Sequence, residues 1–592
     1  MGMTQFLVSA GHKSSGKTTI TVGLCAALAE RGSRVQAFKK GPDYIDPMWL
    51  TQASGRPCFN LDPYLMTDEQ IISCFRQYTQ QVDVAIVEGN KGLFDGLALD
   101  GSNSNASLAK LLDLPVVLVL DVRGMTRGVA PLILGYQAFD TGIKIAGVIL
   151  NQLGGTRHES KLRAVIEHYT DVPVLGAVAH DPRLAVVERH LGLTPNREVA
   201  NAQDKLRSIA ERIADQIDLD ALLKIGRSEV PEHDSLPRLE PKLAGSKEMV
   251  AVARKPVRIG VAQDEAFGFY YPDDLQALQS NGAELVPFSP LSDRTLPEVD
   301  GLFFGGGFPE MFGAQLQGNS ALREMVRLKI EEGLPVYAEC GGLMYLARSL
   351  TWNDQTFDMV GALPGDVRMH DRPVGRGYVT LESTEDALWP VESPSQGRRA
   401  RGHEFHYSSI EGLPPETRFA YRVIRGYGTD GEHDGIVYRN VMASYAHLRH
   451  GAGSHWADGF ISFVRSRMIH PSDTSPKPEN PGILRVNGKT IQTDAEGYLI
   501  DLGDWSEDVA MAQAKRENLI LSPEHWEVIA FLRDYFEEHR VQAQVRVMIR
   551  HFAQVWGPER GNNHHLHDLF PAGGPQKQGN RLAGLLKTKG EH

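Results

Sequence analysis

Three groups of residues in this chain have the types and spacing of reactive sites. The first is Gly11-His12-Lys13-Ser14-Ser15-Gly16-Lys17-Thr18, with Thr19 following. It fits G-x-x-x-x-G-K-[ST] and lies between the apolar run QFLVSA and the amphipathic stretch KTTITVGLCAALAERG, where that pattern has a mechanism. Backbone N–H groups of such a loop wrap phosphates, the lysine reaches the outer phosphate oxygens, and the Thr18 hydroxyl is positioned for Mg²⁺. The second group is acidic. FKKGPDYIDP puts Asp43 and Asp46 on a Gly- and Pro-containing turn, and VAIVEGNKGLFDG puts Glu88 directly after an apolar strand, with Asp95 in the next loop. Carboxylates at the C-terminal ends of parallel strands face the ligand crevice of an α/β sheet. Glu88 is therefore a candidate Mg²⁺ ligand, and Lys39 or Lys40 is placed to meet an anionic substrate. Each acid alone is also a common turn former; together, beside a phosphate loop, they favour chemistry.

The third group surrounds Cys340 in PVYAECGGLMYLA, where a strand passes through the cysteine and two glycines into a helical pattern. A nucleophile on such a turn has the elbow geometry of acyl-transfer enzymes. FFGGGFPE supplies Gly305, Gly306 and Gly307, whose backbone N–H groups, with that of Gly341, are candidates for an oxyanion site. The elbow also needs a base. ASYAHLRHG offers His447 and His450, and RGHEFHYS offers His403 and His406. The H-x-x-H spacing in the latter permits a metal site, but no two further ligands are evident, so substrate binding or a structural role is preferred.

These residues need a scaffold. The strand-like runs QFLVSA, RVQAFK, VDVAIVEG, PVVLVLD, KIAGVILN and VPVLGAV alternate with amphipathic stretches, which predicts a parallel α/β domain over 1–226. GRSEVPEHDSLPRLEPKLAGSKE reads as a linker, covering 227–256. The rhythm restarts at VRIGVAQ, AELVPFS, GLFFGGG and PVYAEC, giving a second α/β domain over 257–470. A second linker spans 471–483, and a mainly helical domain is expected over 484–592. With 592 residues, 42% of them apolar and 23% charged, the chain reads as a soluble multidomain protein. A net charge of -12 argues against a nucleic-acid partner. No apolar run has membrane-spanning length, and four irregularly spaced cysteines fit a reducing cytoplasm. Oligomeric state is left open, a homodimer among the options.

FKKGPDYIDP, VEGNKGLFDG, LAKLLDLPVVLVLD, ERHLGL, DEAFGFYYPDDL, GGGFPE, AECGGLMYL, RGHEFHYS and ASYAHLRH resemble, in order, the cobyrinic acid a,c-diamide synthase family. The resemblance covers about residues 1–465. It implies a dethiobiotin-synthetase-like P-loop domain joined to a class I (flavodoxin-like) glutamine amidotransferase domain, using ATP, Mg²⁺ and L-glutamine. By the same resemblance Cys340 is the glutaminase nucleophile, His447 activates it, and no third triad acid is assigned. Residues 11–19 bind ATP, and Thr18, Asp43 and Glu88 hold Mg²⁺. Asp43, Asp46 and Asp95 serve the phosphorylated intermediate, and Lys39, Lys40, Tyr44, His403 and His406 are candidates to bind a tetrapyrrole. The chain departs from the family at His12 and Lys13, at Phe94, where tyrosine is common, and at Arg449-His450. These departures leave room for a different tetrapyrrole.

The last 110 or so residues resemble another family, that of the sulfite reductase gamma subunit (the DsrC/TusE group). VNGKTIQTDAEGYLIDLGDWSEDVA, LSPEHWEVIAFLRDYFEEH and LFPAGGPQKQGNRLAGLLKTKG carry that resemblance. Sulfur carriers of that group use two cysteines in a glycine-rich C-terminal arm; the matching positions here are Asn580 and Glu591, and every cysteine of this chain lies at or before Cys340. The arm keeps its shape residues without a thiol. Its presence shifts the expected substrate toward sirohaem, as in DsrN-type sirohaem amidases, with dissimilatory sulfite reductase as a partner docked through this domain. The alternatives are cobyrinate or hydrogenobyrinate as substrate and, in another class, a non-catalytic nucleotide-dependent regulator of sulfur relay.

Overall fold

The computed structural model describes residues 3–181, 188–189, 192–193, 202–226, 256–389, 397–451, 454–468, 483–486, 489–494, 496–517, 519, 521–571 and 573–585. The linker regions 227–256 and 471–483 fall almost wholly outside these residues, as does Glu591.

Seven strands make the N-terminal sheet: β1 (Thr4–Ala10), β2 (Val35–Lys40), β3 (Phe59–Leu61), β4 (Val84–Glu88), β5 (Val116–Asp121), β6 (Ile145–Leu153) and β7 (Val174–Ala179). They are all parallel in the order β3-β2-β4-β1-β5-β6-β7. Six of them coincide with the predicted runs. β3 is three residues long and gave no periodic signal. Alternate side chains of β1 enter different cores: Val8 packs with Ile86 and Val119, Leu7 with Val87 and Leu118. A sheet covered on both faces needs such continuously apolar strands. β1, β4 and β5 are central, so the loops at their C-terminal ends share one crevice. α1 (Lys17–Glu30) starts at the phosphate loop, and Gly16 before it has φ 82°. A Cβ there would lie 2.2 Å from Asn151 Nδ2, the group that donates to the Ser15 carbonyl at 2.9 Å. Only glycine satisfies both demands.

The second sheet has ten strands. Ala283–Phe288, Val257–Ala262, Gly301–Phe304, Val336–Glu339 and Val441–Ser444 run parallel. The sheet continues with antiparallel strands His433–Tyr438, Arg418–Arg425, Gly375–Ser383, Arg399–His406 and His447–Leu448. The parallel half carries the elbow; the antiparallel half brings RGHEFH back beside His447, with His403 in register with His447.

The two sheets belong to one compact unit, Met1–Met468. Buried polar contacts join them. Arg449 donates to the Asn60 carbonyl at 2.7 Å and to Asp273 at 2.6 Å. The Tyr378 hydroxyl donates to both oxygens of Asp62 at 3.0 and 2.9 Å, and its ring stacks on Tyr64 at 4.2 Å.

Residues 469–592 form a separate unit. A hairpin of Ile483–Val486 with Lys489–Gln492 precedes the helices Glu507–Arg516, Pro523–His539, Val545–Val555 and Asn563–Leu569. The stretches EDVAMAQAKRENL, SPEHWEVIAFLRDYFEEHR and QAQVRVMIRHFAQVW, which read as helical in the sequence, contain the first three of these. The described part of the C-terminal arm is packed on this body. Arg581 makes a two-point ion pair with Glu517, at 2.5 and 2.9 Å, and Gln578 donates to the same carboxylate at 2.9 Å. Trp505 Nε1 and Arg533 hold the carbonyls of Leu582 and Ala583, each at 2.8 Å. Asn580 is fully buried. Among the described residues, no helix is long and apolar enough to cross a membrane.

Candidate active sites

The phosphate loop leads into α1, so Lys17 and Thr18 stand on its first turn. Lys17 is buried; desolvation and Lys39 press its pKa down, while Glu88, Asp46 and Asp43 oppose this. The Thr18 hydroxyl donates to Glu88 Oε1 at 2.6 Å and to Asp46 Oδ2 at 3.2 Å. Glu88 ends β4 and is fully buried. Its Oε1 also accepts from Lys39 Nζ at 3.0 Å, whereas its Oε2 is buried without a hydrogen-bond partner among the described residues. An orphaned carboxylate oxygen beside Thr18 and Asp46 is a hard-oxygen donor set of the kind Mg²⁺ takes, so these residues fit that ion.

Lys39 is engaged differently from expectation. Its ammonium pairs with Asp46 and Glu88 and lies 3.9 Å from Asp43, and its side chain is 3% exposed. It organises the carboxylates and does not line the cavity described below. Lys40 does line it, donating to Asn90 Oδ1 and to the Asn103 carbonyl and Oδ1. Burial lowers its pKa to about 8. Asp43 caps the start of α2 (Ile45–Ser54) by accepting the Ile45 and Asp46 amides. Its pKa is raised to about 7, first by desolvation and then by neighbouring Asp46. Asp95 is exposed and accepts from the Gly92 amide at 2.9 Å. It stands at the Gly11 side of the loop, outside the Asp43–Asp46–Glu88 cluster. His12 and Lys13 are exposed, and Ser14 has φ 63°.

Cys340 follows the strand Val336–Glu339 and opens the helix Gly341–Leu346 with φ 47° and ψ -99°. A positive φ at a non-glycine residue is costly and is a mark of a nucleophile elbow. His447 is hydrogen-bonded to Cys340 and to Glu339; burial disfavours its charged form, but these two partners outweigh burial and push its pKa up to about 10. The expected oxyanion glycines crowd the same spot. A Cβ on Gly306 would lie 2.6 Å from His447 Cε1, one on Gly307 1.9 Å from the Ala266 carbonyl oxygen, and one on Gly341 3.0 Å from the Gly307 amide.

Two cavities meet at Cys340. One, of about 700 Å³, is lined by Gly307, Glu310, Cys340, Trp352, Asp371 and His406 among others. The other, of about 320 Å³, has Cys340, His403 and His447 on one side and Lys40, Asp43, Tyr44 and Asn90 on the other. It crosses from the elbow to the acidic loop beside the phosphate site. Tyr44 is built into this junction, its ring 5.3 Å from Phe269, 4.5 Å from Tyr271 and 5.2 Å from His447.

Residues 7–193 match the model of the CobQ/CobB/MinD/ParA nucleotide binding domain, and residues 258–454 that of the CobB/CobQ-like glutamine amidotransferase domain. A cobyrinate a,c-diamide synthase of Magnetococcus marinus is 46% identical over 463 residues, which is 78% of this chain and 97% of the relative. One from Methanosarcina acetivorans is 44% identical over 469 residues, 75% of this chain and 92% of the relative. The chain belongs to the cobyrinate a,c-diamide synthase family. It is accordingly an ATP-dependent, glutamine-using amide ligase, which sets aside the regulator reading. Residues 485–590 match the model of DsrC like protein. The solved DsrC of Allochromatium vinosum is 43% identical, covering 19% of this chain and 97% of its own, with a TM-score of 0.18.

With the family in hand, the four candidate histidines separate. His447 alone is bonded to Cys340. His403 stacks on it at 5.0 Å and is held neutral by burial and by the charges of His447 and Arg449. His406 lines the larger cavity, stacks on Tyr445 at 3.9 Å and contacts the Ser408 carbonyl at 2.7 Å through Nδ1. Residues 403 and 406 lie on one strand, so odd spacing sends them to opposite faces and into different cavities, which removes the H-x-x-H metal site. His450 faces Asp458 and His455. Sequence reasoning missed Glu339, although its signal, an acid ending an apolar strand, is the one that singled out Glu88.

Proposed function

We propose that this chain amidates peripheral carboxylates of an acidic tetrapyrrole, and that cobyrinate (or hydrogenobyrinate) is its substrate. The observation that carries the reaction is the cavity with Cys340 and His447 on one wall and Asp43 and Lys40 on the other. Similarity to cobyrinate a,c-diamide synthases over nearly the whole length of those relatives supports the substrate. Cys340 attacks the side-chain amide of glutamine; a C–S bond forms, the C–N bond breaks, and ammonia leaves. Water then hydrolyses the thioester to glutamate. At the other site a substrate carboxylate takes the γ-phosphoryl group of ATP, because a carboxylate is a poor acyl donor without a leaving group. Ammonia displaces the phosphate and forms the amide. Direct passage along this cavity would limit protonation of ammonia by bulk water. Lys17 meets the phosphates, and Thr18, Glu88 and Asp46 are placed to hold Mg²⁺, which would neutralise phosphate charge. Lys40, with Asn90 beside it, faces the arriving carboxylate.

The DsrC-like C-terminal domain favours a second reading, sirohaem as substrate, with the domain docking the enzyme on a dissimilatory sulfite reductase. Asn580 in place of a thiol excludes sulfur carriage at that position. Purified protein with Mg-ATP and glutamine, offered cobyrinic acid, sirohydrochlorin and sirohaem separately, decides between them by mass spectrometry. Amidation of cobyrinic acid is expected; amidation of sirohaem or sirohydrochlorin alone establishes the second reading. Deleting 484–592 should abolish capture of the reductase if the domain docks there, and unchanged capture removes that role.

A further inference from the structure

We propose that Glu339, the residue immediately before the nucleophile, is the carboxylate that positions His447 and so completes the glutaminase relay. This rests on the reading of Cys340 and His447 as nucleophile and base. Glu339 Oε2 faces His447 Nδ1 at 3.2 Å, while Oε1 accepts from the Leu448 amide at 3.0 Å and from the Tyr337 hydroxyl at 2.7 Å. One carboxylate thus grips the imidazole and the backbone of the next residue, which fixes the strand His447–Leu448 against the elbow. With Nδ1 committed to Glu339, Nε2 is left for the thiol, the tautomer a base needs.

The electrostatics single out the same pair. Glu339 is 2% exposed. A buried carboxylate needs a compensating charge, and among the described residues its sole ion-pair partner is His447, with no lysine or arginine on it. Other acids near the segment are committed elsewhere. Asp434 accepts the Tyr445 and Ala446 amides, and Asp274 the His450 amide. Arg449, two residues past the base, is turned to Asp273 and the Asn60 carbonyl. The remaining groups around His447 are His403, which is held neutral, and Tyr44, whose pKa burial raises well above its ordinary value. Neither supplies negative charge.

In the reaction the proton from Sγ is already held by His447 when the C–S bond forms, and His447 passes it to the departing nitrogen as the C–N bond breaks. Glu339 keeps hold of Nδ1 throughout and takes no proton from it. Glu339→Gln keeps the shape and an oxygen for the Leu448 amide but removes the charge. Its glutamine-dependent kcat/KM is expected to fall between about 10²- and 10⁴-fold, with ammonium-driven amidation unchanged. The pH at which iodoacetamide traps Cys340 should move upward. Tyr337→Phe, which removes the other side-chain contact of Glu339, should leave both readouts in place, and Glu339→Asp should restore part of the loss. Glutaminase activity of Glu339→Gln within about threefold of wild type, with an unmoved alkylation profile, overturns the proposal. Loss of ammonium-driven amidation as well overturns it in favour of a purely structural carboxylate. Cys340→Ala separates the two levels: if that variant still hydrolyses glutamine, the nucleophile reading itself fails; if it does not and Glu339→Gln does, only this inference fails.

Discussion

Replacing Cys340 with alanine is expected to lower glutamine-dependent amidation by at least about 10³-fold, because no other group can form the thioester. Amidation driven by high ammonium should persist. The phosphate loop, the acidic cluster and the cavity wall built by Lys40 and Asp43 are untouched by the change. Cys340 is 7% exposed, and losing one sulfur atom leaves a void smaller than a methyl-lined core cavity, so the fold should tolerate it. Steady-state rates with glutamine and with ammonium, measured on one preparation, check the division of labour. Loss of both activities would contradict transfer of ammonia between two separate sites.

Lys17→Ala has the opposite pattern and a comparably large effect. Both nitrogen sources depend on the acyl phosphate, so amidation should fall by roughly 10²- to 10³-fold or more with either one. Glutamine hydrolysis measured alone should continue. Lys17 is buried beside Lys39, Glu88 and Asp46, and its removal leaves that cluster with one cation fewer. A methionine variant, which keeps the aliphatic stem, separates loss of charge from loss of packing. Normal turnover by either variant would remove residues 11–19 from the nucleotide site.

Much of this was legible in the sequence because the relevant signals are local. G-x-x-x-x-G-K-T between a strand and a helix, and Cys340 between a strand and two glycines, each specify a turn in a handful of residues. The parallel strands were equally readable, since burial on both faces demands unbroken apolar runs. What escaped was either short or long-range. β3 has three residues, too few for a period. The Glu339–His447 contact spans 108 residues, and nothing in PVYAEC announces which histidine will arrive. Lys39 and Lys40 are adjacent and chemically identical, yet strand alternation commits one to the carboxylates and the other to the cavity wall. Tyr44 is read as a candidate substrate contact and lines the cavity, but its packing on rings of the other domain is visible only once the two sheets are joined.

Cys340 belongs to the walls of both cavities, and this gives the thiol a second identity as a doorway. If glutamine occupies the larger chamber and ammonia is bound for the smaller one, as the proposed function requires, the two meet at a single sulfur. On the proposed reaction, a glutamyl group attached there would stand where the two chambers share a wall. Ammonia released at that instant would have the group it has left behind it and the chamber toward Asp43 before it. Directionality of nitrogen traffic would then need no moving gate, because the reaction intermediate would itself act as a one-way turnstile for as long as it lasted.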